Sequence, residues 1–152
     1  MEKTVNLAFD METDGLDSTR IHCIVTQDLD TGLVEEYNDE KYADNPKELP
    51  MSSHSICSGL NNLMACDNIV SHNGIAYDIA QAQKHYPFFR ELKAKHWDTL
   101  ILSRFYHPNL LDIDLTRKWR DMPAKLYGSH SLEAYGYRLR CRKGDYGKTT
   151  SW

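Results

Sequence analysis

The segment Phe9-Asp10-Met11-Glu12-Thr13-Asp14-Gly15-Leu16 constrains this chain more than any other. An apolar stretch stops there at two carboxylates spaced i, i+2, followed by an Asp-Gly turn signal. Residues i and i+2 of a β-strand share a face, so Asp10 and Glu12 are predicted to project together from the end of a first strand. Two like charges held that close are costly unless a cation lies between them, and hard oxygen ligands suit Mg²⁺ or Mn²⁺. The pattern points to metal-dependent phosphate chemistry. A surface strand end with acidic turn residues would look the same, because short motifs match by chance.

A length of 152 residues predicts one domain, 1–152, large enough to bury a core without staples. No apolar run approaches the ~18 residues of a membrane span, and the N-terminus lacks a signal-peptide core. The expectation is a soluble, cytoplasmic chain with no membrane partner. Cys23, Cys57, Cys66 and Cys141 form no CxxC pair, which removes zinc-ribbon and thioredoxin-like readings; they are expected to be small, reduced hydrophobes. The net charge of −4 conceals an asymmetry. Residues 1–50 hold 13 acidic and 4 basic side chains, whereas residues 117–148 hold 9 basic and 3 acidic ones. An acidic cation site with a basic phosphate-contacting segment suits nucleic-acid chemistry, although a single charged run is most often solvated surface.

Alternation and β-branched residues predict strands at Val5–Phe9, Ile21–Val25 and Leu33–Tyr37, linked as a meander. Asn38–Pro50 reads as loop. Ser53 is placed as the cap of a helix carrying Ile56, Leu60, Leu63 and Met64. Ile69 and Val70 predict a short buried strand, and Ser71-His72-Asn73-Gly74 a turn into a helix at about Tyr77–Tyr86, closed by Pro87. Trp97 and Asp98 read as extended, Thr99–Tyr106 as a helix and Ser131–Leu139 as another, with 109–128 ambiguous. A meander followed by alternating helices and short strands predicts an α/β fold with a mixed sheet.

The second informative segment is Val70-Ser71-His72-Asn73-Gly74-Ile75-Ala76-Tyr77-Asp78. A strand, a glycine turn and an acid at a helix start would deliver Asp78 to the same sheet edge as Asp10 and Glu12. Alone, Asp78 reads as a helix-start aspartate favoured by the macrodipole.

With both segments in view, the sequence resembles the 3′→5′ exonuclease domain of family A DNA polymerases. FDMETDGLD is similar to the first exonuclease motif and NGIAYD to the second. SHNGIAYD, WDTLILSRFYHPNL and GSHSLEAYGYRLRCRKGDYG resemble the replicative polymerases of short-tailed phages of the T-odd coliphage type. The resemblance implies a ribonuclease-H-like mixed sheet flanked by helices, of the DEDD exonuclease class. It implies proofreading of DNA by two-metal hydrolysis of 3′-terminal nucleotides, with two Mg²⁺ or Mn²⁺ ions. Asp10, Glu12 and Asp78 correspond to catalytic metal ligands. Thr13 and Leu16 correspond to residues that hold the terminal nucleotide, Leu16 as an apolar wedge. Asn73 and Tyr77 correspond to residues lining a frayed single-stranded 3′ end. Asp98 corresponds to a recurrent acid whose expected role is a buried hydrogen bond at a helix start. The basic stretch Arg138–Lys148 is a candidate phosphate contact.

The DEDD class has a fourth carboxylate, in a motif of the form YxxxD or HxxxD. No tyrosine or histidine after Asp78 has an acid four residues on. The expectation is therefore a domain incomplete at its C-terminal catalytic segment. Three origins fit: a truncation, one piece of a split polymerase completed by a separate polymerase chain, or a free-standing relative that lost activity. The alternative function is a catalytically inactive DNA-end or partner-binding module with the same fold.

Overall fold

The computed structural model describes residues 4–39 and 54–142. It divides into two compact units, the first ending at Thr99 and the second beginning at Leu100.

The first unit is built on strands β1 (Asn6–Thr13), β2 (Ile21–Asp28), β3 (Val34–Asn38), β4 (Asn68–Ser71) and β5 (Lys95–Asp98). Their spatial order is β3-β2-β1-β4-β5. β1 pairs antiparallel with β2, and β2 with β3, as the short predicted links require. β1 pairs parallel with β4, and β4 with β5, so longer crossovers intervene. Helix α1 (Ile56–Met64) makes the first crossover; α2 (Asp78–His85) and a 3-10 turn at Pro87–Glu91 make the second.

β1 runs past its predicted end at Phe9 because Met11 keeps the alternation going. Leu7, Phe9 and Met11 are buried, while Asp10 and Glu12 between and beyond them are exposed. The buried side meets Ile24 and Tyr37 of the meander, Ile56, Leu60 and Leu63 of α1, and Ala82 of α2. Each such aliphatic side chain contributes about 1.5–3 kcal/mol when fully buried. Gly59 lets α1 lie directly on Tyr37, since a Cβ there would sit 2.7 Å from the ring.

The cap of α1 is Ser55, whose hydroxyl accepts the Ser58 N–H, rather than Ser53, which lies outside the described residues. Most of the predicted Asn38–Pro50 loop also lies outside them. Of the cysteines, Cys66 is buried as expected, Cys23 and Cys57 are partly so, and Cys141 is exposed.

The second unit holds α3 from Leu100 onward (the helix spans Thr99–Tyr106), α4 (Leu110–Arg117), a 3-10 turn at Ala124–Leu126 and α5 (Leu132–Arg138). The ambiguous 109–128 stretch contains α4, which departs from the usual pattern at one position: Leu110 is buried and Leu111 and Leu115 are exposed, but Asp114 is fully buried. Arg138 explains the buried acid. Its Nε and Nη2 donate to the two Asp114 oxygens at 3.0 and 2.6 Å. The Trp119 indole and the Gly128 N–H complete the carboxylate's shell, both at 2.8 Å. Arg138 is therefore occupied in the interior and is not a free phosphate contact, contrary to the expectation for the basic stretch; residues 143–148 of that stretch lie outside the described ones.

Candidate active site at the end of the first strand

Asp10 and Glu12 stand on one face of the central strand, as the i, i+2 spacing requires, and both are exposed. The β1–β2 register shifts between Glu12 and Thr13. An irregularity of this kind re-aims side chains at a strand end.

Asp78 reaches the same region from the neighbouring parallel strand. It is the first residue of α2, is 5% exposed, and accepts a hydrogen bond from the Met11 backbone. Burial and then the Asp10 charge push its carboxyl up to about 6, with a smaller push from Glu12. The backbone bonds pull the other way without prevailing. A divalent cation would relieve this repulsion, and three carboxylates are the hard-oxygen donor set that Mg²⁺ or Mn²⁺ takes. Among the described residues, however, no group of three or more His, Cys, Asp and Glu side chains is gathered closely enough to hold an ion. The three carboxylates share a neighbourhood without forming a finished ligand cage.

The turn between β4 and α2 is shaped from within. Asn73 adopts φ 67, a left-handed conformation that asparagine tolerates. Gly74 follows, and a Cβ on it would lie 2.0 Å from the Ser71 hydroxyl and 3.3 Å from Asp78 Oδ2. Asp98, 4% exposed at the end of β5, accepts the Asn73 N–H at 3.0 Å and the Ile75 N–H at 3.1 Å. Its expected role as a buried hydrogen-bonding acid beside this helix start agrees with that geometry. The Ser71 hydroxyl lies 2.6 Å from His96 Nε2, and burial lowers the pKa of that imidazole.

Of the residues expected near a terminal nucleotide, Thr13 and Tyr77 meet. The Thr13 and Tyr77 hydroxyls are 2.5 Å apart, and the Tyr77 hydroxyl donates to the Gly15 carbonyl at 2.6 Å. Leu16 is 88% exposed and Asn73 is also exposed. Asp14 accepts from the Thr19 hydroxyl, the Thr19 N–H and the Arg20 N–H, which brings its carboxyl down to about 2.

Sequence reasoning missed how the 14–19 loop is fastened. Asp17-Ser18 reads only as a turn and Gln81, Lys84 and His85 carry no expected role, although Tyr77, Gln81, Lys84 and His85 recur at i, i+4, i+7 and i+8. That polar stripe on a helix beside a proposed site was the available signal.

A mixed sheet of this order with flanking helices is compatible with a ribonuclease-H-like fold. No protein-family model matches the chain. Two curated proteins are similar to it. The DNA-directed DNA polymerase of Escherichia phage T7 is 36% identical over 135 residues, which is 84% of this chain and 18% of the polymerase. The DNA-directed DNA polymerase of Enterobacteria phage T3 is 35% identical over 149 residues, 92% of this chain and 20% of that polymerase. The chain is thus related to these phage DNA polymerases, and it spans about a fifth of their length.

Proposed function

We propose that the chain is the 3′→5′ proofreading exonuclease module of a phage DNA polymerase, acting on single-stranded or frayed DNA ends. The observation that carries this reading is the crowding of Asp78 by burial and by Asp10 at the end of the central strand. A buried acid raised further by neighbouring acids is costly in a folded protein and gains purpose when a cation binds.

Asp10, Glu12 and Asp78 would supply oxygen ligands to two Mg²⁺ or Mn²⁺ ions. When bound, such a pair supplies an activated water and stabilises the leaving 3′ oxygen of the scissile phosphate. Bare Asp78 holds its proton more tightly than an ordinary carboxyl and would give it up as a ligand. Thr13, Tyr77 and Asn73 would line the terminal nucleotide, and exposed Leu16 would bear on its base. Contact through stacking and apolar surface favours unpaired bases without reading sequence. A further carboxylate would come from the rest of a polymerase, in the same or a separate polypeptide.

The test is release of nucleoside monophosphates from a 3′-labelled single strand with Mn²⁺, by the chain alone and with the remaining polymerase polypeptide added. Metal-dependent release that Asp10→Ala reduces to background is the expected result. No release in either arm, with intact folding, would sink the reading.

The absence of a gathered three-carboxylate group among the described residues favours a second reading, a non-catalytic DNA-end or partner-binding module. Its signature is single-strand binding without turnover under either metal in both arms.

A further inference from the structure

Tyr77 and, on α2, Gln81, Lys84 and His85 turn one stripe onto residues 15–18 of the loop that follows β1. The Tyr77 hydroxyl donates to the Gly15 carbonyl at 2.6 Å. The Gln81 amide donates to the Leu16 carbonyl at 3.4 Å. The Lys84 ammonium donates to the Asp17 carboxylate and the Ser18 carbonyl, both at 2.7 Å. Ser18, 1% exposed, donates its hydroxyl proton to Gln81 Oε1 at 2.6 Å, which leaves its oxygen to accept from His85 Nε2 at 2.8 Å.

Four consecutive residues are thereby fastened to one helix, and the second of them is a leucine whose side chain is 88% exposed. A lone exposed leucine is ordinary. On a tethered loop it becomes a fixed apolar projection whose backbone entropy is already lost before anything touches it. Gln81 is the side chain that bridges Leu16 to Ser18, one bond to each.

We infer that Gln81, at the centre of this stripe, is a positioning residue for specificity: it holds Leu16 so that an unpaired 3′ base is favoured over a paired one. This rests on the exonuclease reading above. Without the clamp the leucine still contacts DNA but yields to a paired end, so discrimination falls while cleavage of single strands does not.

Gln81→Met keeps the length and removes both bonds. Gln81→Glu keeps the acceptor for Ser18 and removes the donor to Leu16. The experiment compares hydrolysis of a mismatched and a fully paired 3′ terminus, with single strand as reference, using the chain supplemented by the polymerase polypeptide where activity requires it. A lost hydrogen bond of about 1 kcal/mol corresponds to a roughly fivefold fall in the mismatch-to-match ratio. That fall is expected for Gln81→Glu, which loses one bond, and a larger one for Gln81→Met, which loses both; Leu16→Ala should reproduce the larger. A duplex carrying 2-aminopurine at its 3′ terminus gives a second readout. Its fluorescence rise on binding in Ca²⁺ should fall in the same order, with no hydrolysis involved. An active wild type whose Gln81→Met ratio is unchanged, or whose three rates fall together, overturns the inference alone. A wild type that binds the probe without cleaving removes the exonuclease reading, and the fluorescence series then decides only whether Gln81 holds Leu16 against a paired end. A wild type that does neither removes the exonuclease reading and this inference with it.

Discussion

The hydroxyls of Thr13 and Tyr77 meet at 2.5 Å, joining the end of the first strand to the cap of a helix 64 residues further along. Both also lie within hydrogen-bonding distance of the Gly15 carbonyl, at 3.1 and 2.6 Å. A double-mutant cycle of Thr13→Val and Tyr77→Phe should show a coupling of about 0.5–1.5 kcal/mol in urea unfolding. Strict additivity would mean that the contact contributes nothing.

Gly74 has no room for a side chain. Because its Cβ would fall 2.0 Å from the Ser71 hydroxyl and 3.3 Å from Asp78 Oδ2, Gly74→Ala must displace the turn or the helix start. The expected cost is about 1–3 kcal/mol, read as a lowered thermal midpoint. Ser71→Ala removes the nearer obstacle, so adding it to Gly74→Ala should recover part of the loss.

Asp78 makes neutral pH unfavourable for the metal-free protein. Its folded pKa of about 6 lies above the unfolded value of 3.8, so the folded state keeps a proton that the unfolded state has released. Stability therefore declines as pH rises from about 4 to about 6 and stays lower above that. In EDTA, Asp78→Asn should be more stable than the parent by about 2 kcal/mol near pH 7.5 and equal to it below about pH 4. Denaturation curves at the two pH values check the sign, and a variant less stable at both would refute the crowding.

The Asp114–Arg138 pair behaves oppositely. Burial alone would raise the Asp114 carboxyl, but Arg138, the Gly128 N–H and the Trp119 indole outweigh it and hold the group at about 2. Its stabilisation is present above the unfolded value of 3.8 and is lost as pH falls toward 2. Arg138→Met leaves a buried charge without its partner and should cost about 3–5 kcal/mol. Far-UV circular dichroism during urea unfolding reports it, and a loss below about 1 kcal/mol would mean that water reaches the pair.

What could be read in advance followed from local periodicity. Asp10 and Glu12 share a face because alternation is a property of the strand itself, and α3 occupies its predicted span because its ends are marked by a strand acid and by Pro108. The class of relative was legible from ordered motif blocks. Asp114 was not, because a buried acid is made tolerable by Arg138, 24 residues away, and no window of the sequence contains both. Likewise Ser55 and Ser53 are equivalent caps on pattern alone, and the Ser55 hydroxyl is the one that accepts the Ser58 N–H. The fastening of Leu16 was hidden for the same reason, since Ser18 and Gln81 are 63 residues apart.

The strand order sets a timetable for the site. β1 precedes the other strands in sequence and is central in the sheet, yet its second neighbour, β4, begins only at Asn68. A hairpin with β2 can form early, but the parallel partner and the helix bearing Asp78 must wait for a long loop to close. During synthesis the Asp10–Glu12 pair therefore emerges as an isolated acidic edge. It acquires its third acid only once the chain has grown past α2, and the Asp98 grip on the turn comes later still, at the end of β5. The turn that leads into Asp78 is thus secured only after β5 has formed, so a nascent or partly unfolded chain would carry Asp10, Glu12 and Asp78 without the packing that places Asp78.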